Sequence, residues 1–114
     1  MKRGNKYGAV KTTVNGIVFD SKAEASFYSY LLPLQKIGRI EKIELQRQYM
    51  LHAGIKYVAD FVITMPGGLQ RFIDVKGVET PVFKLKRKLF EKDVGPLEVV
   101  KASYRGGTIH FDWA

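Results

Sequence analysis

The pattern of apolar and polar residues predicts short strands and two helices along the chain. Apolar runs flank Asn15-Gly16, the dipeptide most typical of tight β-hairpins. Further apolar, β-branched runs bounded by turn residues also predict strands. The predicted strands are Val10–Val14, Ile17–Phe19, Ile40–Met50, Tyr57–Val62, Phe72–Gly77 and Leu97–Val100, with a last hairpin across Gly106-Gly107 in the tail 102–114.

The first helix is marked by a capping box. Ser21 is a good N-cap and Glu24 stands three residues later. We expect this helix to run to about Leu32, where Pro33 ends or kinks it. A short continuation to Ile37 is left open.

The second helix is predicted to start at Thr80, with Pro81 at its first helical position. Its expected apolar stripe consists of Val82, Leu85, Leu89 and Phe90. The order of elements is then hairpin, helix, three strands, basic helix and strand. This order predicts an α/β domain with a mixed central β-sheet flanked by helices. With 114 residues, the chain suits one core, so residues 1–114 are expected to form a single domain.

Two carboxylates are predicted to face each other in the central hairpin. A loop at Pro66–Gly68 would pair Met65 with Leu69, and counting back in that register sets Asp60 opposite Asp74. Facing carboxylates repel each other and destabilise a strand pair. A divalent metal ion bound between them is the natural compensation, because such ions prefer oxygen ligands. Two alternatives stay open: a two-residue loop would break this pairing, and the two aspartates could simply face water.

Two further residues fit a site at this hairpin. Lys76 follows Asp74 by two positions, so both project from the same face of the strand. Glu24 shares a helix face with Phe27 and Leu31, which places it at the end of the core-facing stripe. A capping role and a metal-binding role are compatible for Glu24.

Composition points to a nucleic-acid partner. The net charge is +8, and basic residues cluster in one predicted helix and in the N-terminal segment 1–9, which we expect to be a mobile arm. The absence of cysteine excludes disulfides, zinc-thiolate sites and a thiol nucleophile. No apolar run predicts a membrane span or a signal peptide, so a cytoplasmic protein is expected.

The ordered set of Glu24 on a helix, Asp60 on one strand, and Asp74 and Lys76 on the next resembles the PD-(D/E)XK nuclease superfamily. The run from about Asn5 to Val100 is similar to its small phage-encoded members, which are related to archaeal Holliday junction resolvases. The segments that carry the resemblance are Asn5–Tyr7, Phe19–Glu24, Ile43–Gln46, Tyr57–Phe61 and Asp74–Gly77. Ala59 replaces the proline of the motif's name, and that proline shapes the strand without binding metal.

The resemblance implies a restriction-endonuclease-like core and an Mg²⁺- or Mn²⁺-dependent endodeoxyribonuclease. Asp60, Asp74 and the carbonyl of Val75 would hold the metal, and Glu24 would complete the shell directly or through water. Lys76 would position or deprotonate the attacking water. Gln46 would line the site at most, since a strand glutamine is more often structural.

Substrate and partners follow from the same resemblance and from the charge. Lysines and an arginine of the basic helix, together with Lys6 of the arm, are expected to contact DNA phosphates; those of the helix are Lys84, Lys86, Arg87 and Lys88. A solvated helix face is the alternative for these side chains. Branched DNA, with junction resolution and a role in DNA recombination, is the leading expectation, and a two-fold substrate favours a homodimer. A phage-encoded enzyme would act in the bacterial host's cytoplasm. The other hypotheses are a non-cleaving DNA-binding accessory protein with a nuclease fold and an enzyme acting on RNA or linear ends.

Overall fold

The computed structural model describes residues 10–113, in which a mixed five-stranded β-sheet lies between two helices. The expected basic arm at residues 1–9 lies outside the described residues. The elements in chain order are β1 Thr12–Val14, β2 Ile17–Phe19, α1 Lys22–Lys36, β3 Lys42–Met50, β4 Lys56–Thr64, β5 Gln70–Lys76, α2 Pro81–Asp93, β6 Leu97–Arg105 and β7 Thr108–Asp112. A short 3₁₀ turn at His52–Gly54 joins β3 to β4. The predicted α/β class and mixed sheet are confirmed.

The sheet order is β3-β4-β5-β6-β7, and β1 and β2 form a separate hairpin. The β5–β6 pair is parallel and is connected by α2, whereas the other neighbours in the sheet are antiparallel. The predicted β1–β2 hairpin is confirmed around Asn15-Gly16, where both φ angles are positive. The last hairpin is also confirmed across Gly106-Gly107. Within residues 10–113, the longest apolar stretch of helix falls short of what a membrane crossing requires.

Helix α1 is longer than the sequence predicted. Ser21 Oγ accepts a hydrogen bond from Glu24 N at 3.1 Å, which confirms the N-cap. The predicted end near Leu32 is wrong, and the short continuation to Ile37 is confirmed, because the helix passes through Pro33 to Lys36 with Ile37 as its C-cap. A proline removes only its own N–H from the helix ladder, and its carbonyl still accepts from Ile37 N at 3.1 Å.

Helix α2 begins as predicted but faces the sheet with different residues. Thr80 Oγ1 accepts from Phe83 N at 3.1 Å, which confirms the cap. The predicted apolar stripe is wrong for Val82 and Leu85, which are 64% and 62% exposed, whereas Phe83 and Phe90 are buried. Burying two aromatic rings removes more apolar area from water than burying a valine and a leucine, so the helix is rotated toward the phenylalanines.

The sheet separates two hydrophobic cores. The α1-face core lies between the sheet and α1, and the α2-face core lies between the sheet and α2. In the α2-face core, the centroid of the Phe90 ring lies 5.1 Å from the ring centroid of Tyr57 and 5.5 Å from that of Phe72. Strand β4 contributes residues to both cores, and the candidate site lies near its middle, between Ala59 of the α2-face core and Phe61 of the α1-face core.

Candidate active site

The register of the β4–β5 hairpin is the one predicted from its loop. Phe61 pairs with Ile73, and Met65 N donates to Leu69 O at 2.7 Å. The regular ladder stops at the Phe61–Ile73 pair, and the next position in the same register sets Asp60 opposite Asp74. The loop choice and the facing carboxylates are therefore confirmed.

The two carboxylates take over the strand pairing where the regular ladder stops. Asp74 Oδ1 accepts from Asp60 N at 2.9 Å, and Asp60 Oδ2 accepts from Val75 N at 3.0 Å. Both side chains are buried, with 9% of Asp60 and 2% of Asp74 exposed. The alternative in which these aspartates face water is therefore wrong.

The sheet is distorted at this position. On β4, Phe61 packs in the α1-face core, whereas Ala59 and Tyr57 pack in the α2-face core. Residues separated by an even number normally share one face of a strand, so the facing of β4 inverts at Asp60. Gln46 of β3 lies opposite Asp60 by register and has a positive φ of 51°. The inversion gives Asp60 an environment that strict alternation does not provide.

Two further side chains contact the aspartates. The sequence did not assign Tyr57 to the site, and it gave Gln46 only as a residue that would line it. Tyr57, buried on the α2 side, donates its hydroxyl to Asp74 Oδ2. Gln46 Nε2 donates to Asp60 Oδ1 at 3.4 Å. Strict alternation would place Tyr57 on the same face as Phe61, toward α1, so the apolar pattern carries no signal for its contact with Asp74 from the α2 side.

The third acidic residue approaches from α1. Glu24 Oε1 is buried and has no hydrogen-bond partner among the described residues. Burial, together with the charge of Asp20 and against that of Lys76, raises the pKa of Glu24 to about 7. The second half of the predicted capping box, in which Glu24 would bind back to its helix terminus, is therefore not made by this oxygen.

The charges of the site are poorly compensated by the protein itself. Burial, followed by the charges of Asp74 and Glu24, raises the pKa of Asp60 to about 8. Burial also raises the pKa of Asp74, against hydrogen bonds from Tyr57 and from the Asp60 backbone. Lys76, whose Nζ lies 4.5 Å from the Phe83 ring centroid, offsets part of this charge. A bound cation would relieve the remaining repulsion.

The donors fit a hard divalent cation in chemical type. Asp60, Asp74 and Glu24 offer carboxylate oxygens, which Mg²⁺ and Mn²⁺ prefer. However, in residues 10–113 no three His, Asp or Glu side chains form a ready-made metal-binding group. The buried Oε1 of Glu24, which has no hydrogen-bond partner among the described residues, is available as a further oxygen donor.

The basic residues of α2 do not form one uniform face. Lys84 and Lys88 are exposed, and Lys86 is partly buried. Arg87 has a structural contact that the sequence did not predict, because its Nη2 donates to Leu97 O at 2.9 Å. Of the expected DNA contacts, Lys6 lies outside the described residues.

Comparison with known proteins places the chain in a family. A family model described as a protein of unknown function, DUF1064, matches residues 4–106. The chain belongs to the DUF1064 family. The matched range of this family includes Glu24, Asp60, Asp74 and Lys76, and its description states no activity. Neither the curated proteins nor the solved structures gave a match.

Proposed function

We propose that this DUF1064 protein is a metal-dependent endodeoxyribonuclease of the PD-(D/E)XK type that hydrolyses DNA phosphodiester bonds. The observation that carries the proposal is the buried pair of Asp60 and Asp74, each bound to the backbone of the other strand, with Lys76 two residues further along β5. The order of α1, β3, β4, β5, α2 and β6 supports a restriction-endonuclease-like core, which is part of the same proposal.

The site residues divide the work of phosphodiester hydrolysis. Asp60, Asp74 and the Val75 carbonyl would hold Mg²⁺ or Mn²⁺, with Glu24 acting directly or through water. A metal ion bound there would supply a Lewis acid and a water molecule of lowered pKa. Lys76 would orient the attacking water and stabilise negative charge that develops on the phosphoryl oxygens. Tyr57 and Gln46 would fix the orientation of the two aspartates through their hydrogen bonds.

The proposed substrate is branched or otherwise structured DNA, with junction resolution as the leading possibility. The +8 net charge supports a polyanionic partner. A homodimer would match a two-fold branched substrate. For a phage-encoded protein, the place of action would be the cytoplasm of the bacterial host.

A cleavage assay with defined DNA shapes tests the proposal. Labelled junction, flap, duplex and single-stranded DNA are incubated with the protein in Mg²⁺, Mn²⁺ or EDTA, beside an Asp74→Asn control. We expect metal-dependent cuts that the control lacks. Equal cleavage by wild type and control would assign the activity to a contaminant and contradict the proposal.

A non-cleaving DNA-binding accessory protein is the second candidate. It is favoured by one observation, the absence of a ready-made three-carboxylate group in the described part of the chain. This candidate predicts DNA binding that is unaffected by EDTA, no heat of Mn²⁺ binding in calorimetry, and no cleavage of any of the four substrates.

A further inference from the structure

The site has two openings that differ in charge. On the α1 side, a cavity of about 80 Å³ is lined by Glu24 and Gln46, with Asp20 and Val18 also in its wall. The charged residues in this wall are both acidic. Within the described part of the chain no lysine or arginine lines this wall, and Asp20 is already paired with the exposed Lys11 at 3.3 Å, so a phosphate that approached from this side would find no cation beside Glu24.

On the α2 side, a cleft of about 320 Å³ leads to Asp74 and has the opposite character. Three lysines, Lys56, Lys76 and Lys86, line it, and Asp74 is the acidic residue in its wall. Within residues 10–113, Lys56 and Lys86 form no ion pair with a carboxylate, unlike Lys101, which lies 2.7 Å from Glu79. Their charges are therefore available to a bound anion.

Two further features of the cleft suit a nucleic-acid strand. Thr80 lines it at the N-cap of the 13-residue helix α2, whose N-terminus carries partial positive charge. Val58 and Val82 contribute apolar wall surface and are 37% and 64% exposed. Cations beside exposed apolar surface match the alternation of phosphate and sugar along a DNA backbone.

We infer that a DNA strand reaches Asp74 and Lys76 through the α2-side cleft, where Lys56 and Lys86 bind phosphates of that strand. This inference rests on the proposed function for the identity of the anion as DNA. It adds Lys56 of β4 to the DNA-binding residues, and it separates Lys86, which lines the cleft, from Lys84 and Lys88, which do not. The α1-side cavity, which Glu24 lines, is not part of this path.

A matched pair of valine substitutions tests the path of the strand. Val82 is 64% exposed at the α2-side cleft, and Val18 is 61% exposed at the α1-side cavity. Val82→Glu places a carboxylate in the first turn of α2, where negative charge favours the helix, so the variant should fold. We expect Val82→Glu to weaken binding of single-stranded and junction DNA by about tenfold or more, because like charges would then meet in the cleft. Val18→Glu should change it less than about twofold.

Binding is measured by fluorescence anisotropy of the intact protein in Ca²⁺ and in EDTA, so that turnover does not enter. Lys56→Ala and Lys86→Ala provide a second measurement, each expected to reduce the slope of log K against log salt by about 0.7 to 0.9. Lys36→Ala, at an exposed position near the end of α1, is the control and should leave the slope unchanged.

Three results would overturn the inference: a larger loss in Val18→Glu than in Val82→Glu, equal losses in both, or unchanged salt slopes in Lys56→Ala and Lys86→Ala. Failure of the proposed function has a different signature. If wild-type protein cuts no substrate with Mg²⁺ or Mn²⁺ while Val82→Glu still loses DNA binding, the nuclease proposal fails and the strand path stands.

Discussion

The two ends of the β4–β5 hairpin solve the same pairing problem in different ways. At the loop end, backbone groups pair directly, and Met65 N donates to Leu69 O at 2.7 Å. At the other end, the carboxylates of Asp60 and Asp74 accept the N–H groups that a regular ladder would use. The loop end gains stability from ordinary pairing, whereas the carboxylate end holds buried negative charge in a fixed place. The β4–β5 hairpin therefore departs from regular strand pairing at the position of the proposed active site.

The largest expected effect comes from removing the charge of Asp74 while keeping one of its two hydrogen-bond acceptor oxygens. Asp74→Asn retains an oxygen that can accept from Asp60 N, so the strand pairing should persist. We expect cleavage to fall by about two orders of magnitude or more, because a neutral amide is a poor ligand for Mg²⁺. Calorimetry measures the loss of Mn²⁺ binding, and the cleavage assay measures the loss of activity.

Asp74→Ala is the comparison that separates charge from pairing. This variant leaves Asp60 N and the Tyr57 hydroxyl without their acceptor, at a cost of about 1–3 kcal/mol for each buried group. Urea unfolding in EDTA should therefore show Asp74→Ala to be clearly less stable than Asp74→Asn. Equal stabilities would mean that the carboxylate does not hold the strands together.

Lys76→Met should reduce turnover and preserve metal binding. Methionine keeps an apolar stem beside Phe83, whose ring centroid lies 4.5 Å from Nζ, but it removes the charge. We expect turnover to fall by about two orders of magnitude, since a positioned cation is lost from the developing negative charge. Mn²⁺ affinity should be equal or higher. Loss of Mn²⁺ binding would show that the role assigned to Lys76 is wrong.

Tyr57→Phe tests the contact that the facing inversion creates. The variant loses the hydroxyl that donates to Asp74 Oδ2 and leaves the ring in the α2-face core. We expect Mn²⁺ affinity to fall several-fold and the free energy of unfolding to fall by about 1 kcal/mol. Tyr104→Phe is the control, because Tyr104 is 49% exposed. The prediction fails if both variants bind Mn²⁺ as the wild type does.

The last prediction concerns the pH dependence of stability in EDTA, where a substitution is expected to change only a slope. The pKa of Asp60 is raised to about 8 in the folded protein, so between about pH 5 and 8 the folded state retains a proton that the unfolded state has lost. Stability should therefore decrease as pH rises through this window, by at most about 1.4 kcal/mol per pH unit from Asp60. Urea unfolding of wild type and Asp60→Asn at several pH values should show a smaller slope in the variant, and equal slopes would contradict the assignment.

The sequence predicted those features that depend on local signals. The caps at Ser21 and Thr80, and the register that sets Asp60 opposite Asp74, follow from a few neighbouring residues. The contact between Tyr57 and Asp74 could not be predicted, because the inversion at Asp60 arises when β3 and β4 pair. Other contacts between residues that are distant in the sequence could not be predicted from local signals either.

Helix α2 shows how tertiary packing overrides a local pattern. Val82 and Leu85 fit an apolar stripe by spacing, but Phe83 and Phe90 face the sheet because aromatic side chains of β3, β4 and β5 lie beneath the helix. Pro33 is a second case. The helix continues beyond it because only one N–H is missing and Leu34 packs against the α1-face core.

Some residues of the basic helix α2 bind β6, and others do not. Arg87 donates to Leu97 O at 2.9 Å, and Glu91 accepts from Leu97 N at 2.8 Å, so two helix residues clamp the first residue of β6. The exposed Lys84 and Lys88 lie outside this clamp. The proposed affinity for DNA could therefore be tuned by charge substitutions on this helix without moving β6, which pairs with the strand that carries Asp74.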